Sequence, residues 1–181
     1  MRIVYFYYLI ILLFIYNCIL PYRQETPPGV LGRNPLLYTF NSTIDFSNIK
    51  DGDIEEATTF ALKKTDIILQ KILNILNSGR TFENTLLRLD DIYNTIGKVW
   101  NIISLLSSVH PLENIREEAN RNDLRIQNYM MDIAINEKLY RAINAYAQLE
   151  EAKLLTGGRK LFLDSELRDF KRNGMELSLK K

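Results

Sequence analysis

The sequence predicts an all-α protein, an antiparallel helical bundle preceded by a hydrophobic leader helix. Three observations carry that expectation. From Asp53 onward apolar residues recur at steps of three, four or seven, the period of a helix with one buried face. Between Asn41 and Gly174 no strand-like alternation exceeds four residues. The breaks between periodic stretches are short, and short connections make successive helices antiparallel neighbours. The helices differ in length and seam, so no internal repeat is expected.

The leader comes first. Ile3 to Tyr16 reads IVYFYYLIILLFIY, an unbroken apolar and aromatic run behind the single charge of Arg2. Asn17 interrupts it before Cys18, Ile19 and Leu20. Its length lies between the core of a signal peptide and the roughly 18 residues of a membrane span. Residues 1–20 are therefore expected to be a signal peptide or membrane anchor. The competing readings are a buried helix or translated non-coding sequence from a mispredicted start. A matrix-type transit peptide would be Arg-rich and amphipathic, which this run is not. Cys18 lacks the small residues that usually precede a lipid-attachment cysteine. Residues 21–40 form a Pro-rich linker. PYRQETPPGVLGRNP holds four of the five prolines and two glycines, which favours extended, unpaired chain. Asn41-Ser42-Thr43 matches the N-glycosylation acceptor pattern, relevant only in a eukaryotic secretory pathway.

Residues 41–181 carry the helices. Ile54, Ala57, Ala61, Ile68, Ile72 and Ile75 define the first stripe. Asp53 with Glu56 resembles a capping box, and Ser78-Gly79 is the expected stop. Thr81 is the expected N-cap of a second helix, with Leu86, Leu89, Tyr93, Ile96, Trp100, Ile103 and Leu106 inward, ending near His110-Pro111. A third helix buries Ile115, Ala119, Ile126, Met130 and Ile133. It turns Arg116, Glu117, Arg121, Asn122, Arg125 and Gln127 to solvent. Asn136 caps a fourth segment, Glu137 to Tyr146, with Leu139, Ile143 and Tyr146 inward. Thr156-Gly157-Gly158 breaks the chain before a last helix, about Arg159 to Asn173, on Leu163, Leu167 and Phe170. Gly174 ends it.

Composition bounds the chemistry. The chain has 181 residues, 46% hydrophobic and 25% charged, with a net charge of +1. That suits one domain with a core and gives no basic field, so nucleic acid is not an expected partner. One cysteine, Cys18, excludes an internal disulfide, and one histidine, His110, excludes H-E-x-x-H. There is no G-x-S-x-G elbow and no phosphate loop; Gly157-Gly158 lacks the lysine and hydroxyl spacing and reads as a helix break. His110 reads as a capping or surface residue. The pairs Asp90-Asp91, Glu117-Glu118 and Glu150-Glu151 read as solvated faces, because adjacent helical residues do not face each other. Trp100 and the stripe tyrosines read as core or groove packing. No catalytic, cofactor-binding or metal-binding residue is expected. The residues alone support a binding, structural or accessory domain.

Four collinear stretches add a resemblance. TFENTLLRLD, Thr81–Asp90, resembles the T-F-E-N-T/V-L-x-x-L run of the thimet oligopeptidase, neurolysin and saccharolysin family of zinc metallopeptidases. HPLENIREEANRND, His110–Asp123, is similar to that family's S-P-x-x-x-I/L-R-x-A-S helix, through Pro111, Ile115, Arg116 and Ala119. MMDIAINEKLYRAI is similar to its x-E-x-S-M-R-E-D-V-Y/F turn through Glu137, Leu139 and Tyr140, with Ala134–Asn136 in place of S-M-R. LRDFKRNGMEL resembles its V/L-R-D-Y/F-K/R-R-N-G-L-x-L helix end through Leu167, Arg168, Asp169, Phe170, Arg172, Asn173, Gly174 and Leu177. The polar matches, Glu83-Asn84 and Arg172-Asn173-Gly174, are not what core packing alone asks for.

The resemblance implies the N-terminal lobe of a neurolysin-like channel peptidase. It makes residues 41–181 an incomplete N-terminal helical domain of an oligopeptidase, a metalloendopeptidase that hydrolyses short peptides. This chain would form part of the substrate-channel wall. It would be inactive alone, because the zinc-binding half with its H-E-x-x-H pair is missing. No cofactor is expected in this chain; zinc is implied for the full-length parent. The implied partners are short peptides and the missing catalytic half, with a membrane reached through residues 3–20. The leader implies the secretory pathway or a membrane anchor; many family members are instead cytoplasmic or mitochondrial. The alternative is a stand-alone membrane-tethered helical peptide-binding or accessory protein.

Overall fold

The computed structural model describes residues 34–37 and 44–175. The leader, most of the Pro-rich linker and the Asn41 acceptor pattern lie outside the described residues. Among the described residues there is no strand, and no helix is long and apolar enough to cross a membrane.

Among the described residues six α-helices follow in order: α1 (Asp53–Leu73), α2 (Leu87–Val109), α3 (Glu113–Ala134), α4 (Glu137–Ala147), α5 (Glu150–Lys153) and α6 (Gly157–Arg172). The protein is an all-α helical bundle. Helix α2 lies against both α1 and α3, α4 packs on α1, and α6 packs chiefly on α4. Short α5 is an element that no periodicity announced.

The inward stripes hold at most positions, with Ile75 and Leu167 half-buried instead of inward and one stripe enlarged. Leu86, Leu89, Ile96, Ile103 and Leu106 are buried on α2 or at its entry, and so are Ile92, Val99 and Ile102. A helix between two neighbours must bury two ridges, so its apolar face is wider than a single seam. Tyr93 and Trp100 are half-buried instead, with their polar ends bonded: Tyr93 Oη to Glu166 at 2.8 Å and Trp100 Nε1 to Asp123 at 2.6 Å.

Four expectations are corrected. The first helix stops at Leu73, before Ser78-Gly79, and Asn77–Gly79 forms a separate 3-10 turn. The buried Arg80 explains the early stop. Its guanidinium donates to Ile72 O at 3.1 Å, Ile75 O at 2.9 Å and Asn77 Oδ1 at 3.1 Å, taking carbonyls that a continuing helix would need. Burial pulls its pKa below the ordinary arginine value.

The second correction concerns the start of α1. Its N-cap is Gly52, at φ 90°, and Asp53 lies inside the helix. The capping bonds come from another helix. Glu118 of α3 accepts from Gly52 N at 3.0 Å and from Glu55 N at 2.9 Å. One carboxylate thus supplies both acceptors of a capping box and sits at the positive end of the helix dipole. Glu56 instead holds Asn34, whose Nδ2 also reaches Asp53 O. Asn34, Leu36 and Leu37 are buried here, so residues 34–37 form a turn that Asn34 ties to α1.

Third, Asn122 is buried rather than solvated, its Nδ2 donating to Glu118 O at 3.0 Å. Fourth, Met130 is half-buried rather than part of the core.

Candidate functional site

The motif residues gather at helix junctions. Thr81 does cap the approach to α2, by a full capping box: its side chain accepts from Asn84 N at 3.1 Å, and Asn84 Oδ1 accepts from Thr81 N at 2.8 Å. The first turn after this cap is irregular. Phe82–Leu86 is π-helical, a wide turn that no periodicity signals.

That turn is bound by later elements. Phe82 N donates to Glu151 Oε1 at 2.9 Å, and Tyr146 Oη lies 3.4 Å from the same oxygen. Glu151 therefore works as a cap in trans, which corrects the reading of Glu150-Glu151 as merely solvated. Glu117-Glu118 is corrected by the same reasoning, through Glu118. Burial and then the Glu151 charge push the Tyr146 phenol up to about 12. The Arg159 guanidinium stacks 4.6 Å from the Phe82 ring centre and pairs with Glu83 at 3.4 Å.

The second motif opens α3. His110 caps the end of α2, and its Nδ1 accepts from Leu112 N at 3.3 Å. Arg116 folds back onto His110 O at 2.6 Å and Pro111 O at 3.0 Å. In the third motif Asn136 Oδ1 accepts from Leu139 N at 2.9 Å, the predicted cap of α4. The fourth meets the third: Asn173 Nδ2 donates to Ala134 O at 3.2 Å, and Gly174 turns the chain at φ 88°. Only glycine adopts that conformation without strain.

None of this is catalytic geometry. Among the described residues no group of three or more His, Cys, Asp or Glu side chains converges to hold a metal ion. A shallow groove of about 510 Å³ runs along α6, lined by Asp164, Leu167, Arg168, Lys171 and Arg172. All of these but Leu167 are charged residues and all lie on one helix, so the groove is open and encloses no ligand site.

In this chain the polar side chains of the motifs set how consecutive helices join. The family model for the Neurolysin/Thimet oligopeptidase N-terminal domain matches residues 61–181. No curated protein matches the chain. The chain belongs to the neurolysin/thimet oligopeptidase family, and it holds that family's N-terminal domain.

Proposed function

We propose that the chain serves as the N-terminal segment of an oligopeptidase-type zinc metalloendopeptidase. It forms part of a channel wall that restricts substrates to short peptides, and it breaks no bond itself. The observation that supports this reading best is the domain match over residues 61–181, with four collinear motifs whose polar residues hold helix junctions. In this reading zinc and H-E-x-x-H belong to a catalytic half outside the chain, and that half is the partner. The described residues do not fit a zinc site, so no step of hydrolysis is assigned to them. Residues 3–20 would place the protein in the secretory pathway or on a membrane, with the cytoplasm as the alternative.

The test is a hydrolysis assay on the purified chain, using internally quenched short peptides. No cleavage is expected with added zinc. Stoichiometric zinc with chelator-sensitive cleavage would overturn the inactive assignment. Adding the catalytic half of a family member should restore hydrolysis.

One observation favours a second reading, a stand-alone peptide-binding or accessory protein. Leu124, Met131 and Ile135 lie along the outer face of α3 and its C-terminal end at 60%, 64% and 55% exposure, a ready contact surface. A monomeric chain that binds short peptides without any catalytic half would support that reading.

A further inference from the structure

Helix α6 is attached differently from the others. Of its 16 residues only Leu163 and Phe170 are buried. The Phe170 ring tilts against Tyr140 of α4, centroids 5.8 Å apart. Further links to the bundle are spaced along its length: Arg159 to Glu83 and over the Phe82 ring, Glu166 to Tyr93, and, just past its end, Asn173 to Ala134 O. The chain enters through Thr156, which makes no side-chain cap, then Gly157 at φ 57° and Gly158. An added Cβ at either glycine would meet nothing within 4 Å, so these glycines are not there for close approach. They supply backbone freedom at the root of the helix.

We propose that α6 is an acid-tightened strap, hinged at Thr156–Gly158, whose closure over α4 strengthens when Glu166 is protonated. Glu166 sits midway along the helix, its Oε2 accepting from Tyr93 Oη at 2.8 Å. The groups around it are Asp90 and Tyr93 on α2 and Asp169 on α6 itself. From α4, Tyr140 meets α6 through its ring against Phe170. Asp169 travels with the strap, so closing it takes the Glu166 carboxylate out of water and newly sets its charge beside Asp90. Burial first, then Asp169 and Asp90, raise the Glu166 pKa above the ordinary 4.5, against the opposing hydrogen bond from Tyr93. The closed state therefore binds the proton more tightly than the open one. Its advantage is full below the ordinary glutamate range and falls away as pH rises through the raised value. Between the open-state and closed-state values each pH unit changes the open-to-closed ratio by at most about tenfold, and outside them the ratio is constant.

Hydrogen exchange by mass spectrometry on the full chain tests this, with rates corrected for intrinsic pH dependence. Peptides covering 157–172 should open more readily than those in α1 and α2. Their opening should become several-fold rarer between about pH 8 and about pH 5. Glu166→Gln keeps an acceptor for Tyr93 without the charge. It should slow α6 opening at the higher pH and remove most of the pH dependence. Tyr93→Phe removes the bond that favours the carboxylate, and should steepen that dependence. Exchange of α6 in step with α1 and α2 would eliminate the strap. A Glu166→Gln protein with the wild-type pH slope would eliminate its control, and so would a Tyr93→Phe protein with an unchanged slope.

Discussion

The α1–α4 bundle and the α5–α6 arm are built from the same residue types but held by different forces. In the bundle, α2 buries apolar side chains on two sides, and Glu118 ties α3 to the start of α1 from a buried position. In the arm, α6 keeps two buried anchors and otherwise relies on exposed or half-buried polar links. Apolar burial at about 25 cal/mol per Å² accumulates cooperatively, whereas an exposed ion pair contributes about 0–1 kcal/mol. One chain can thus hold a single cooperative core together with an element free to open locally.

The most direct way to separate the regions is to empty a site in the bundle. Ile103 is completely buried on α2. Ile103→Ala should cost about 2–5 kcal/mol by lost burial plus a cavity. Chemical denaturation should show it as a lower midpoint with an unchanged slope. A loss below about 1 kcal/mol would mean that α2 is not the centre of the fold.

Phe170→Ala makes the matching test in the arm. In a fully cooperative molecule it too would cost about 3–5 kcal/mol. With α6 opening on its own, the global midpoint should move by less than about 1 kcal/mol, while protection of residues 157–172 is lost. A large global loss would erase the distinction between the regions.

A smaller effect comes from the cap in trans. Glu118→Ala removes two acceptors from backbone N–H groups at the start of α1. The expected cost is about 1–2 kcal/mol, with exchange accelerated first at Gly52–Glu55. If the loss appeared evenly along α3 instead, Glu118 would be a packing residue and not a cap.

How these residues read from sequence depends on the range of each signal. Helical period is local, so the stripes of α1 to α4 and α6 were legible, as were Thr81 and Asn136, whose caps act within three residues. Glu118 and Glu151 were not legible, because their partners lie 63 to 69 residues away and adjacency in sequence suggested only a solvated pair. Arg80 ended α1 early through carbonyls that no propensity marks. The motif matches could be found without their reason: Asn84 and Asn173 looked like family signatures, and the structure makes them joints. The π-turn at Phe82–Leu86 has no sequence period of its own.

The smallest expected effect concerns a flaw inside the stronger region. Thr58 is fully buried on α1, and among the described residues its Oγ1 has no hydrogen-bond partner. Thr65, further along the same helix, shows the usual solution, donating to Ala61 O at 3.0 Å and Leu62 O at 2.8 Å. A buried hydroxyl without a partner carries its desolvation penalty with no return bond. Thr58→Val keeps the β-branched shape and removes the oxygen. It should stabilise the chain by about 1 kcal/mol, whereas Thr65→Val should destabilise it or leave it unchanged. Differential denaturation of the two variants reads the sign directly. If both fall together, the Thr58 hydroxyl has a partner after all, and the bundle is as well satisfied in its polar groups as in its apolar ones.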